Sequence, residues 1–134
     1  MKQCNLIKHI STVMVLAIIS FSALADGAMV TPLIEKDLEG MVNKEGTVLI
    51  VEYGPGMSSK KHRHDAHIFA YVLEGSVVMQ VDGNNPVTLK VGDTFYESPK
   101  DIHLVSKNAS STQAAKFVVF TVKEKNLPVV IPLR

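Results

Sequence analysis

Residues 56–75 read GMSSKKHRHDAHIFAYVLEG, and this stretch decides the fold. It holds His62 and His64 two positions apart and continues into a largely apolar run that stops at Gly75. Side chains two positions apart on an extended strand project to the same side, so the two imidazoles point in one direction. A single distant histidine, His103, can be brought in from another strand to close a metal site with them.

The first 25 residues have the pattern of a secretory signal peptide. Lys2 and Lys8 precede an apolar run over residues 10–24, and Ala23-Leu24-Ala25 is a small-x-small cleavage site. We therefore expect residues 1–25 to be removed and the mature protein to be secreted or periplasmic. The run is too short for a good membrane span, so no span is expected after removal; an uncleaved anchor is the alternative.

The composition of the mature chain, residues 26–134, restricts its chemistry. Cys4 is the only cysteine and lies in the predicted signal peptide, so no disulfide framework and no cysteine metal ligand are expected in the mature domain. Removing Lys2 and Lys8 from the 14 basic residues leaves 12 against 13 acidic ones. This near-neutral balance does not favour nucleic-acid binding. The length fits one domain that depends on a packed core.

The mature chain is predicted to consist of short strands separated by turns. Runs of β-branched and aromatic residues are typical of strands, and the Gly, Pro, Asn and Asp residues between them are typical of turns. Strands are predicted over residues 47–53, 68–73, 76–81, 87–89, 94–97, 102–105 and 116–122. Many short strands at close spacing predict an all-β sandwich or barrel.

Residues 56–75 resemble the first motif of the cupin superfamily, G-x5-H-x-H-x3-E-x6-G. They match it at every named position except the glutamate, where this chain has Ile68. A second segment resembles the second cupin motif, because Gly92 and His103 keep the family's separation of eleven residues. The resemblance covers about residues 46–122.

The resemblance implies a small single-domain cupin of the cupin 2 type, an all-β jelly-roll β-barrel over residues 26–134. It also implies that His62, His64 and His103 point into the barrel around a divalent metal ion, such as iron, manganese, nickel, zinc or copper. The residue types agree with this, since imidazole suits all of these metals and a barrel mouth commonly holds a small-molecule cavity.

His67 is one candidate for the ligand that Ile68 does not supply. On a regular strand Ile68 shares the side of His62 and His64, and His67 points to the opposite side. An irregular turn at Asp65-Ala66 would be needed to bring His67 to the metal. Otherwise it lies on the rim or the outer face.

Glu97 is the other candidate. It shares strand parity with Phe95, which is expected in the core, and lies six residues before His103. A carboxylate on the inner face of an apolar barrel is costly unless it is paired or bound to metal. Either Glu97 or His67 is also a candidate catalytic acid/base. The alternatives are a Glu97 that caps a turn at the mouth and a bare three-histidine site.

Two classes of function fit these residues. The first, which the resemblance implies as the leading reaction class, is a metal-dependent oxidoreductase, dioxygenase-like, that acts on a small organic molecule. The second is a non-catalytic cupin module that binds a small molecule or a metal, and the fold alone does not choose between them. A homodimer is expected to pair through residues 30–38 and the apolar residues 127–133; the alternative is that the latter lie across their own barrel.

Overall fold

The structure is a computed structural model that describes residues 27–134; the predicted signal peptide lies outside the described residues. All regular structure in residues 27–134 is β-strand, without a helix, so nothing in that range is a helix long and apolar enough to cross a membrane. The strands are β1 Ala28–Asp37, β2 Lys44–Tyr53, β3 Ser58–Ser59, β4 His62–Arg63, β5 Ala66–Glu74, β6 Ser76–Val81, β7 Val87–Lys90, β8 Thr94–Glu97, β9 Ile102–Asn108, β10 Ala115–Glu124 and β11 Ile131–Pro132.

The strands form two antiparallel sheets. One has the order β1-β2-β10-β5-β8, and the other has the order β11-β4-β9-β6-β7 with β3 paired to β9. The predicted all-β fold is therefore confirmed. The predicted closed barrel is not observed, since strand pairing among residues 27–134 leaves two separate sheets that pack face to face around a shared core.

The core lies between the sheets because the central strands alternate. From Ala66 to Val72, every second residue of β5 is buried and the residues between them are exposed. The inward side chains of β2 and β10 meet Val77 and Met79 of the facing sheet. Fully burying a side chain such as valine contributes about 1.5–3 kcal/mol, so this core holds the sheets together without a disulfide.

A β-bulge changes the direction of side chains in β9. Gln80 of β6 pairs with Val105, but its neighbour Val81 pairs with His103, so β9 carries one extra residue at this point. The insertion reverses the alternation, and His103 and Ser106 are both buried although they are three positions apart. The bulge therefore places both side chains on the inner face.

Gly75 makes the tight connection between β5 and β6. Its φ of 68° lies in the left-handed region, and a Cβ at this position would meet the carbonyl oxygen of Ala114 at 2.4 Å. Both conditions favour glycine, which has no side chain to place there.

Candidate metal centre

His62, His64 and His103 converge from two paired strands and the loop that follows one of them. His62 lies in β4 directly opposite His103 of β9, and His64 follows in the short loop before β5. All three side chains are buried. One ring nitrogen of each lies within 4.8 Å of those of the other two. Since zinc–imidazole bonds are about 2.0–2.1 Å long, small movements of the rings would bring the three nitrogens around one ion.

Two of the rings are oriented by backbone carbonyl groups. His62 Nδ1 donates a hydrogen bond to the carbonyl of Lys60 at 2.7 Å, and His64 Nδ1 donates to that of Val129 at 2.5 Å. A carbonyl can only accept, so in both rings Nδ1 carries the proton and Nε2 keeps its lone pair. Metal-binding histidines are typically held in this way.

Glu97 lies beside two of the imidazoles. It is 3% exposed, its Oε1 lies 3.2 Å from His103 Nδ1, and its Oε2 lies 3.7 Å from His64 Nε2. In the pairing of β5 with β8, Glu97 stands directly opposite Ile68. The structure thus places a carboxylate on the inner face, one strand away from the position where the first cupin motif has its glutamate.

The cluster leaves three buried atoms without a well-directed hydrogen bond among the described residues. These are Glu97 Oε2 and both ring nitrogens of His103, of which Nδ1 has only the 3.2 Å approach to Glu97 Oε1. An unsatisfied buried polar group costs about 1–3 kcal/mol. Imidazole nitrogen and carboxylate oxygen are a donor set for divalent transition metals, so the residues present fit a bound metal ion.

The protonation states also suit a cation. Burial is the main influence that lowers the pKa values of His62 and His64 below the usual histidine value, which keeps both rings neutral at pH 7. Burial alone would raise the pKa of Glu97, but the neighbouring histidines, His103 foremost, outweigh it, and the pKa lies below the usual glutamate value. The site therefore combines neutral rings at His62 and His64 with an ionised Glu97 carboxylate.

His67 is not part of this cluster. It is exposed on the outer face of β5, where its Nδ1 lies 2.8 Å from the hydroxyl of Tyr96. The segment from Ala66 to Val72 alternates regularly, so the irregularity needed to turn His67 inward is absent from it. Of the two candidates for the missing ligand, the structure brings only Glu97 to the histidines.

The cluster forms part of the wall of a cavity of about 540 Å³. Most of the remaining wall is apolar and comes from β1, β2, β5 and β10, with further residues from the tail segment, which we define as residues 128–134. Through β11 the tail segment pairs with β4, where Pro132 stands opposite His62. It therefore lies across its own domain, beside two of the histidines.

Three hydroxyl groups in the cavity wall were not among the site residues predicted from the sequence, although Tyr53 was a candidate for the mouth of the pocket. Tyr53 Oη lies 2.6 Å from Ser59 Oγ and 2.7 Å from Ser106 Oγ. Tyr53 ends an alternating run whose parity points inward, so the pattern of β2 contained a usable signal for it. Ser106 was hidden because the bulge in β9 reverses the parity counted from His103.

Comparisons with known proteins agree with this geometry. A family model for the cupin domain matches residues 49–121. No curated protein matches the sequence. Many solved structures are similar, among them a cupin-like protein from Thermotoga maritima, with 23% identity and a TM-score of 0.63 over 79% of this chain and 75% of that one.

Two similar structures are enzymes. Oxalate oxidase in complex with the substrate analogue glycolate has 20% identity and a TM-score of 0.63 over 81% of this chain and 56% of that one. The DMSP lyase DddQ from Ruegeria pomeroyi has 16% identity and a TM-score of 0.56, and the match covers 64% of this chain and 42% of the lyase. The chain thus spans less than half the length of that lyase, and identities this low show a shared fold only.

Proposed function

The chain belongs to the cupin family, and on that premise we propose that it binds a divalent metal ion through His62, His64, His103 and Glu97 and catalyses the oxidation of a small organic molecule. One observation carries the proposal: four buried donor groups converge in the wall of a cavity, and three of their atoms lack a hydrogen bond among the described residues. A bound cation would satisfy these atoms.

Neighbouring groups among the described residues orient these donor atoms before any ion binds. The carbonyl groups of Lys60 and Val129 hold His62 and His64 in the tautomer that presents Nε2. Glu97 supplies the negative charge, and among residues 27–134 it is the only carboxylate in the cavity wall. A divalent ion bound here would act as a Lewis acid with positions left open for small molecules.

Glu97 has a second task in this proposal. An ionised carboxylate close to the open side of the histidine cluster is placed to accept a proton from a phenol or enol group of a bound molecule. The remaining wall is mainly apolar, and the titratable neighbours of Glu97 are His64 and His103, to which such a proton could pass.

Elemental analysis tests the metal site. Mature protein purified without chelators or a histidine tag is compared with a His62→Ala/His64→Ala variant and with His67→Ala, whose histidine lies on the outer face. We expect about one divalent ion per chain in the wild type and in His67→Ala, and none in the double variant. A folded wild-type protein that takes up none of the five metals named above would contradict the proposal.

Oxygen consumption separates an enzyme from a binding module. The Fe(II)-loaded protein is supplied with a panel of catechols, flavonols and diketones, with His64→Ala as the inactive control and His67→Ala as the matched active one. Uptake of oxygen that is lost only in His64→Ala supports the oxidoreductase. Stoichiometric metal with no oxygen uptake across the panel would favour the non-catalytic module.

We also propose that the protein is exported and forms a homodimer. Strand β1 lies at the edge of its sheet and exposes Leu33 and Ile34, which is the kind of edge that pairs with a second copy. The tail segment, the other predicted contact, pairs with β4 of its own chain. Sedimentation of the mature chain at micromolar concentration tests the dimer, and fractionation of expressing cells tests export.

A further inference from the structure

The cavity wall carries little charge apart from the three histidines and Glu97. Glu97 is its only acidic side chain, and among the described residues no lysine or arginine lines it. An ionised group buried without a partner is costly. A ligand with a negative charge away from the histidines would therefore meet no cation that offsets the loss of water.

The other polar groups in the wall are already engaged. The hydroxyls of Tyr53, Ser59 and Ser106 form one hydrogen-bonded cluster, and Ser106 also donates to Met79 Sδ at 3.4 Å. A polar ligand would have to break these bonds to make its own. Away from the histidines, the cavity thus offers mainly apolar contact from side chains such as Leu49, Phe117 and Val119.

The cavity is too large for a very small ligand to fill. Cavities for drug-sized molecules measure about 300–1,000 Å³, and this one measures about 540 Å³. A two-carbon acid bound at the histidines would leave most of the apolar wall without contacts. Affinity from burial of apolar surface requires a ligand that covers this wall.

We propose that the ligand is an uncharged, mainly apolar molecule with one oxygen-bearing end that faces the histidine cluster. The placement of the oxygen-bearing end at a metal ion rests on the proposed function. The apolar character of the rest of the ligand rests on the cavity wall alone. Dicarboxylates and other molecules with a charged far end are excluded from the site.

Two probes that differ only at the far end test the inference. 4-tert-Butylcatechol and 3,4-dihydroxybenzoate share the same diol, and either orientation of the benzoate leaves polar groups among apolar side chains. Their dissociation constants are measured by calorimetry with the mature protein, both metal-free and loaded with Zn²⁺, which does not oxidise the diol. We expect butylcatechol to bind about tenfold or more tightly than the benzoate in both forms.

A cavity-filling variant locates the bound probe. Ala70 lines the cavity, whereas Phe69 of the same strand is 48% exposed on the outer face. Ala70→Leu should weaken butylcatechol binding about tenfold, as expected for overpacking, and leave the Zn²⁺ content unchanged, while Phe69→Leu should change neither.

The outcomes keep the two proposals distinct. Loss of the metal site with the butylcatechol preference retained would overturn the proposed function and support the inference. Equal or tighter binding of the benzoate in both forms would overturn the inference, and so would the absence of butylcatechol binding to either form. Unchanged binding in Ala70→Leu would place the probe elsewhere and would also overturn it.

Discussion

Glu97 lies across the strand pair from the position where the first cupin motif has a glutamate. That position is Ile68, and the two residues are opposite each other in the register of β5 with β8. Both side chains are 3% exposed and line the same cavity. The carboxylate that the motif has at position 68 is therefore found at position 97 in this chain, which is far away in sequence but only one strand away in the structure.

The first prediction exploits this pairing. Glu97→Gln should weaken Zn²⁺ binding by about 10–100-fold, because it removes the negative ligand from the donor set. Adding Ile68→Glu to a Glu97→Leu variant should restore most of the affinity, since the carboxylate returns to the same wall. Zn²⁺ affinities are measured by competition with a chromophoric chelator.

Ile68→Leu serves as the matched control and should leave the affinity unchanged. If Glu97→Gln binds Zn²⁺ as tightly as the wild type, Glu97 does not bind the metal and the site is the bare three-histidine arrangement.

Most of the site residues were predictable from local spacing. The separation of His62 and His64 places both side chains on one side, and parity with Phe95 points Glu97 inward. The choice between Glu97 and His67 was not predictable, because it depended on whether the turn at Asp65 shifted the alternation of β5. Only the observed register of the strand decides that.

Gly75 has a φ in the left-handed region and no room for a Cβ atom, so two separate reasons favour glycine there. Gly75→Ala should lower the free energy of unfolding by about 1–3 kcal/mol from backbone strain alone, with a further loss from the contact with the Ala114 carbonyl. Gly83 has a similar φ of 82° but nothing within 4 Å of the added Cβ. Urea denaturation of both alanine variants measures the difference.

A loss at Gly75 no larger than that at Gly83 would show that the β5–β6 connection moves to accommodate the methyl group. A larger loss at Gly75 would assign the excess to the contact with Ala114.

Among the elements, the tail segment has the clearest link to the site. Its Val129 carbonyl accepts the hydrogen bond of His64, and its strand β11 pairs with β4. Leu133 adds a backbone hydrogen bond to the carbonyl of Lys61 at 3.2 Å. The segment therefore orients one proposed ligand and lines the cavity at the same time.

Removal of the tail segment tests this role. A chain that ends at Leu127 should bind Zn²⁺ about tenfold more weakly, because His64 loses the acceptor that fixes its tautomer. Val129→Ala keeps the backbone carbonyl and should bind Zn²⁺ as the wild type does. Equal affinity in the shortened chain would show that the tail segment does not position His64.

Most strands of four or more residues were predictable, whereas those of two residues were not. Runs of β-branched and aromatic residues identified the main parts of β2, β5, β6 and β10, but the long edge strand β1 was not among the predicted strands. Strands β3, β4 and β11 have two residues each, which is too short for any periodicity to register. Since β4 carries His62 and β11 belongs to the tail segment, the elements closest to the site were the hardest to derive from sequence.

For the whole molecule, the arrangement of two sheets would make a bound metal ion a source of stability. His62 and His103 belong to the sheet that contains β4 and β9, whereas Glu97 belongs to the opposite sheet through β8. An ion bound by both would connect the two layers. The sequence predicted the layers as one barrel, and alternation alone cannot distinguish a closed sheet from two that face each other.

Metal removal should therefore lower the thermal stability. A ligand that binds only the folded state at 100 times its dissociation constant stabilises it by about 2.7 kcal/mol, and the melting temperature should fall correspondingly when EDTA is added. The His62→Ala/His64→Ala variant is the control and should show no response to Zn²⁺ or EDTA. If neither Zn²⁺ nor EDTA changes the melting temperature of the wild-type protein, the hypothesis that a metal ion links the two sheets is wrong.

The contact between His64 and Val129 also sets when the site can form. The two residues are separated by 65 positions, and strands β5 to β10 lie between them in the sequence. Contacts between residues so far apart in sequence tend to form late in folding. Capture of a metal ion in its final geometry would therefore report that the chain has finished folding, and we expect the rate of Zn²⁺ uptake after dilution from denaturant to follow the last step of that process.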